Sequence, residues 1–68
     1  MTMQLRINGE LKELEQSISV DEFLSQKDIN KNTIVCELNK QILPKEEFST
    51  VFLKEDDILE IVQFVGGG

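Results

Sequence analysis

The chain has 68 residues and a formal net charge of −6, from 13 acidic and 7 basic side chains. A chain this short forms one small domain, and its acidity argues against nucleic acid or an anionic membrane as partner, since both attract clustered Lys and Arg. The absence of His, Tyr and Trp removes the usual general base and the imidazole that activates Ser or Cys nucleophiles, and it excludes Cys/His zinc sites.

The first predicted elements form a β-hairpin. The segment "MQLRI" (residues 3–7) alternates apolar and polar side chains, which indicates a half-buried strand. Asn8-Gly9 follows, a dipeptide typical of a tight hairpin turn, and "ELKEL" continues as a second strand. We expect Leu11 and Leu14 of this second strand to point inward.

A short helix is predicted to begin at Val20. Ser19 followed three residues later by Glu22 is the pattern of a capping box, in which the side chain at the helix start bonds the backbone of the first turn. Val20, Phe23 and Leu24 then form an apolar stripe that can pack on a sheet.

The middle of the chain is predicted to form a strand, a short strand and a single helical turn. In "TIVCEL" the side chains of Ile34, Cys36 and Leu38 share one face, and "IL" before Pro44 allows only a short strand. The helical turn is predicted in "KEEF". Further core side chains are expected from Phe48, Val51, Phe52 and Leu53.

The last strand, "ILEIVQFV", is the most apolar segment. If Leu59 and Ile61 face the helix, the alternation of a strand turns Glu60, Val62 and Phe64 to the other side. An exposed Val and Phe just before the glycines at 66–68 predict a patch that binds a partner, with Glu60 steering the approach.

These elements predict an α+β fold. The last strand should lie beside the first, because a central position explains its apolar character. The result is a β-grasp arrangement, a mixed sheet of four to five strands packed on one main helix. Residues 1–65 are expected to form this domain and residues 66–68 a flexible glycine tail.

The remaining reactive groups predict neither a metal site nor an active thiol. The carboxylates of "KEEF" and "KEDD" lack the ligand spacing of a calcium loop. Cys36 has no evident cationic neighbour and is interpreted as a small core residue. With a single cysteine, no apolar run long enough to span a membrane and no secretory signal, a cytoplasmic protein that is a monomer when free is expected.

Several segments together resemble the ThiS family of sulfur carriers, a branch of the ubiquitin-like β-grasp proteins. They are "ING", "SVDEFL", "VCELNKQILPKEEF" and above all "DDILEIVQFVGGG", and the resemblance extends over the whole chain. Lys40 and the turn "KEDD" depart from the family, which often has Gly at these turns.

The resemblance implies a protein substrate rather than an enzyme, with no bound cofactor. In similar proteins a ThiF-type adenylyltransferase consumes ATP to adenylate the last glycine, here Gly68. Sulfur relayed from a cysteine desulfurase converts the adenylate to a thiocarboxylate, which supplies a ThiG-type thiazole synthase in thiamine biosynthesis. Gly66 and Gly67 would thread the tail into the partner's active site.

The resemblance leaves three alternatives open. A MoaD-like subunit that supplies sulfur to molybdopterin, or a related carrier for cysteine synthesis or RNA thiolation, would use the same chemistry at Gly68. A ubiquitin-like modifier would instead join Gly68 to lysines of other proteins. A structural β-grasp adaptor would tolerate loss of the glycines.

Overall fold

The computed structural model describes residues 2–64, which form a five-stranded mixed sheet with one α-helix on one face. In chain order the elements are β1 (Met3–Ile7), β2 (Glu10–Leu14), α1 (Val20–Gln26), a 3₁₀ turn (Lys31–Thr33), β3 (Ile34–Leu38), β4 (Gln41–Leu43), a second 3₁₀ turn (Lys45–Glu47) and β5 (Ile58–Gln63). The predicted order of elements is confirmed.

β5 is the central strand of the sheet. The strand order is β2-β1-β5-β3-β4; β5 runs parallel to β1 and antiparallel to β3, and the other pairs are antiparallel. The predicted neighbourhood of the first and last strands is therefore confirmed, and with it the β-grasp arrangement.

Local sequence signals set the hairpin and the helix start as predicted. Asn8 and Gly9 both adopt positive φ, at 52° and 82°, which is the backbone that a two-residue hairpin turn requires. Ser19 is the N-cap of α1, and its Oγ accepts a hydrogen bond of 3.0 Å from the backbone N–H of Glu22. One of the unpaired amides of the first helical turn is thereby satisfied.

The core lies between α1 and one face of the sheet. Its fully buried side chains come from the helix, from three of the strands and from the connection between β4 and β5: Leu5, Val20, Leu24, Cys36, Phe48, Leu53 and Leu59. Since each strand alternates, these inward positions fix which side chains β5 presents on the opposite, open face.

Two predicted core residues, Leu11 and Phe52, are instead exposed, at 55% and 54% of their surface. Leu11 is paired with Arg6 on the open face, whereas Leu14, partly buried, lies on the helix side. Two residues three apart cannot share a face of a strand, so the prediction of both pointing inward was wrong. Phe52 pairs by its backbone with Ser19, and its side chain points to solvent.

A buried carboxylate fixes the beginning of β5. Asp57 is only 4% exposed and accepts hydrogen bonds from Asn39 Nδ2 at 3.0 Å and from the backbone N–H of Lys54 at 2.9 Å. The Asn39 side chain in turn accepts from the backbone N–H of Ile58 at 2.9 Å. The β3–β4 turn is thus tied to the first residue of β5, which gives this strand a fixed starting point in the sheet.

Within residues 2–64 the α-helix has 7 residues, and no helix there is long and apolar enough to cross a membrane. The predicted domain boundary at residue 65 and the predicted tail, residues 66–68, lie outside the described residues.

Candidate partner-binding surface

The three side chains predicted for partner binding lie on the open face, on β5 and at the residue that follows it. Leu59 is fully buried and Ile61 is partly buried against the helix, while Glu60, Val62 and Phe64 are exposed. Val62 and Phe64 expose 58% and 52% of their surface. Their predicted orientation is confirmed, and their role in binding stays a prediction.

Neighbouring strands extend this patch with apolar side chains that the sequence reasoning did not select. Val35 of β3 lies directly opposite Val62, and Ile42 of β4, 70% exposed, lies on the same face. Val35, Ile42, Pro44 and Phe64 also line a shallow hollow of about 270 Å³. We call Val35, Ile42, Val62 and Phe64 the apolar patch. Strand alternation was the available signal, because Ile34 and Cys36 were already assigned inward and Val35 lies between them.

Two carboxylates lie beside the apolar patch. Glu60 of β5 is paired directly with Glu37 of β3, and neither forms an ion pair with another residue in 2–64. Like charges at directly opposite positions of a sheet repel each other. The open face therefore combines apolar side chains with two adjacent carboxylates, while Lys31 and Lys45 also line the hollow. The two carboxylates are complementary to basic side chains on a partly apolar protein surface.

The apolar patch includes Phe64, the last described residue before the glycines. The backbone N–H of Phe64 donates a 2.8 Å hydrogen bond to the carbonyl oxygen of Thr33, so the main chain is held to the sheet up to residue 64. Gly66, Gly67 and Gly68, the predicted threading and reactive residues, lie outside the described residues.

Cys36 belongs to the core and not to this surface. Its side chain is fully buried, and burial raises the pKa of the Cys36 thiol from 9.0 to about 11, because the charged thiolate is poorly solvated there. The interpretation of Cys36 as a structural residue is supported by this environment. Among residues 2–64 there is also no group of three Cys, His, Asp or Glu side chains that could hold a metal ion.

The raised pKa of Cys36 predicts a loss of stability at alkaline pH. The unfolded thiol ionises near pH 9.0, whereas the folded one keeps its proton up to about pH 11. The contribution of the Cys36 thiol to the free energy of unfolding is therefore fully present below pH 9.0. It is lost as the pH rises towards about 11, which lowers the free energy of unfolding by up to about 3 kcal/mol. Denaturant unfolding across this range measures the fall, and Cys36→Ala should show a smaller one. An equal decline in both proteins would contradict the assignment to Cys36.

The family model of the ThiS family matches residues 5–68 of the chain. The chain belongs to the ThiS family. Over 65 residues it is 34% identical to the sulfur carrier protein ThiS of Bacillus subtilis, with 94% of this chain and 98% of that protein aligned.

Solved structures and a longer relative agree with this membership. The crystal structure of a thiamine biosynthesis protein, ThiS, from Geobacter metallireducens superposes with a TM-score of 0.83 at 32% identity, covering 97% of this chain and 100% of that one. A thiazole synthase of Paramagnetospirillum magneticum is 36% identical over 66 residues, covering 97% of this chain. The chain spans only 20% of the length of that relative.

Proposed function

We propose that this ThiS-family chain is a sulfur carrier of thiamine biosynthesis, loaded at the carboxylate of Gly68. The observation that carries the proposal is the exposed apolar patch across β3, β4 and the end of β5, the strand that precedes Gly66, Gly67 and Gly68 in the chain. The family match through residue 68 and the similarity to a ThiS protein over nearly its full length support it.

The proposed chemistry begins with activation of a poor acyl donor. A carboxylate oxygen of Gly68 attacks the α-phosphorus of ATP bound by a ThiF-type partner, and pyrophosphate leaves. The terminal sulfur of a persulfide formed by a cysteine desulfurase then attacks the acyl-adenylate, and AMP departs to leave an acyl disulfide. A thiol cleaves the S–S bond of this acyl disulfide and is itself oxidised to a disulfide, which releases a thiocarboxylate at Gly68.

In this scheme the chain acts as a protein substrate, and the catalytic groups belong to its partners. Val62 and Phe64 hold the partner while Glu60 attracts its basic surface. Gly66, Gly67 and Gly68 span at most about 10 Å, and without Cβ atoms they fit a narrow channel that leads to the bound nucleotide.

A ThiG-type thiazole synthase is proposed as the acceptor of the sulfur. This assignment draws support from the thiazole synthase relatives, which contain a segment similar to this whole domain. One polypeptide that combines both parts keeps the carrier close to the enzyme at high effective concentration.

Intact mass after incubation with ATP, the adenylating partner and a sulfur source tests the proposal. We expect a gain equal to one oxygen exchanged for one sulfur, localised to Gly68. Subsequent addition of thiazole synthase and its other substrates should return the mass to its starting value. A chain recovered in isopeptide linkage to lysine would instead identify a modifier, and an unchanged mass in a folded chain would contradict sulfur carriage.

A further inference from the structure

One edge of β5 is unpaired over the C-terminal half of the strand. β1 pairs with β5 only at Arg6–Ile58 and Ile7–Leu59, and the chain then turns away at Asn8-Gly9. β3, by contrast, accompanies β5 along the other edge as far as Gln63. A central strand therefore becomes an edge strand just before the glycine tail.

The hydrogen bonds show which backbone groups face each neighbour. Asn39 donates to the carbonyl oxygen of Ile58 at 2.7 Å, and Phe64 donates to that of Thr33 at 2.8 Å. The even-numbered residues of β5 therefore direct their amide and carbonyl groups towards β3, and the odd-numbered residues direct theirs towards the β1 side.

The turn residue Asn8 satisfies only the first two of the odd-numbered backbone groups beyond β1. Its backbone N–H donates to the carbonyl of Leu59 at 2.9 Å, and its Oδ1 accepts from the N–H of Ile61 at 2.7 Å. The carbonyl of Ile61 and both the N–H and the carbonyl of Gln63 have no hydrogen-bond partner among residues 2–64. We call these three groups the free edge.

Among residues 2–64, no strand pairs with β5 on this side beyond Leu59. On the helix side of the free edge lies a hollow of about 310 Å³ whose apolar lining includes Ile7, Phe23, Ile29 and Ile61. An apolar side chain of an added strand would enter this hollow, since side chains of a strand alternate between the two faces.

The charge of Lys27 at the rim of the hollow indicates which kind of side chain the added strand would place there. Lys27 lies over the ring of Phe23, 5.9 Å from its centroid, and forms no ion pair with another residue in 2–64, whereas Lys12 is paired with Glu10 at 3.3 Å. A carboxylate beside the apolar side chain would complement Lys27.

We propose that the adenylating partner adds an extended segment to the free edge of β5, with an apolar side chain in the hollow and an acidic one at Lys27. The inference rests on the proposed function, because it assigns this contact to the protein that activates Gly68. Backbone pairing supplies affinity, and the hollow supplies specificity.

Gln63→Pro tests the free edge directly. Proline removes the N–H of Gln63, which faces away from β3, so the sheet of the free protein keeps its hydrogen bonds. We expect affinity for the adenylating partner to fall about tenfold or more, because the segment loses a hydrogen bond and its carbonyl is left unpaired.

Gln63→Ala keeps the N–H and should bind like the parent, and Lys27→Glu should bind more weakly. Equal affinity of the Pro and Ala chains would overturn the added strand, and unchanged binding by Lys27→Glu would overturn its acidic residue.

Amide hydrogen exchange gives a readout that does not depend on a variant. The amide of Gln63 should exchange rapidly in the free chain and slowly in the complex, whereas the amide of Phe64 should be protected in both. Protection of Gln63 in the free chain that grows with concentration would show a second copy in this place and overturn the proposal. Sulfur loading of the parent chain, measured in parallel, separates failure of this inference from failure of the proposed function.

Discussion

A chain that lacks Gly67 and Gly68 is expected to gain no sulfur under conditions that load the full chain. The proposed route needs the terminal carboxylate at the α-phosphate of ATP, and each residue removed withdraws it by about 3.5 Å. Intact mass distinguishes the two chains, and the truncated one should still bind the adenylating partner through the apolar patch.

Gly67→Val is the matched variant for this truncation. It keeps the length of the tail and its carboxylate but adds a branched side chain that stiffens the backbone and widens it. Loading should be strongly slowed, while the thermal unfolding midpoint should remain that of the parent. Full-rate loading of the truncated chain at its new terminus would contradict the threading role given to the glycines.

Phe64→Asp is expected to weaken binding of the adenylating partner by at least about a hundredfold. Exposed aromatic side chains that become buried in an interface often dominate its affinity, and an aspartate in their place would be buried without a counter-charge. Isothermal titration calorimetry measures the loss. The free chain should stay folded, because Phe64 is half exposed and its backbone bond to Thr33 does not depend on its side chain.

Leu11→Asp is the matched control for Phe64→Asp. Leu11 lies on the same open face with nearly the same exposure, 55%, but on the outer strand β2, away from the apolar patch. Binding should be almost unchanged in this variant. A similar loss in both variants would show that the effect comes from added negative charge on the face and not from the apolar patch.

Period-two patterns and capping signals were enough to predict most of the fold. The alternation in β5 placed Leu59 inward and Val62 outward, and Ser19 with Glu22 located the first turn of the helix, because both signals depend on neighbours close in sequence. The same alternation also predicted that Val62 and Phe64 lie together on the open face.

Features that depend on distant pairing could not be predicted in this way. The pairing of β1 with β5 ends early because the chain turns away at Asn8, and no pattern within β5 itself predicts this end. Asn39, Lys40 and Asp56 adopt positive φ without being glycine, so turn composition alone gave little information about those turns. Leu11 and Phe52 were misassigned because they were placed in the core on their apolar character alone. The backbone pairing of each residue decides which way its side chain points, and that pairing is not visible in the local sequence.

The position of β5 in the sheet also has a mechanical consequence. In the proposed function, a partner that draws the tail into its active site would pull β5 along its own axis. The hydrogen bonds that join β5 to β3 and to β1 lie across the direction of this force. They are therefore loaded together in shear, and they do not break one after another. Under the proposed function, the domain would therefore stay folded when tension is applied to its C-terminal end.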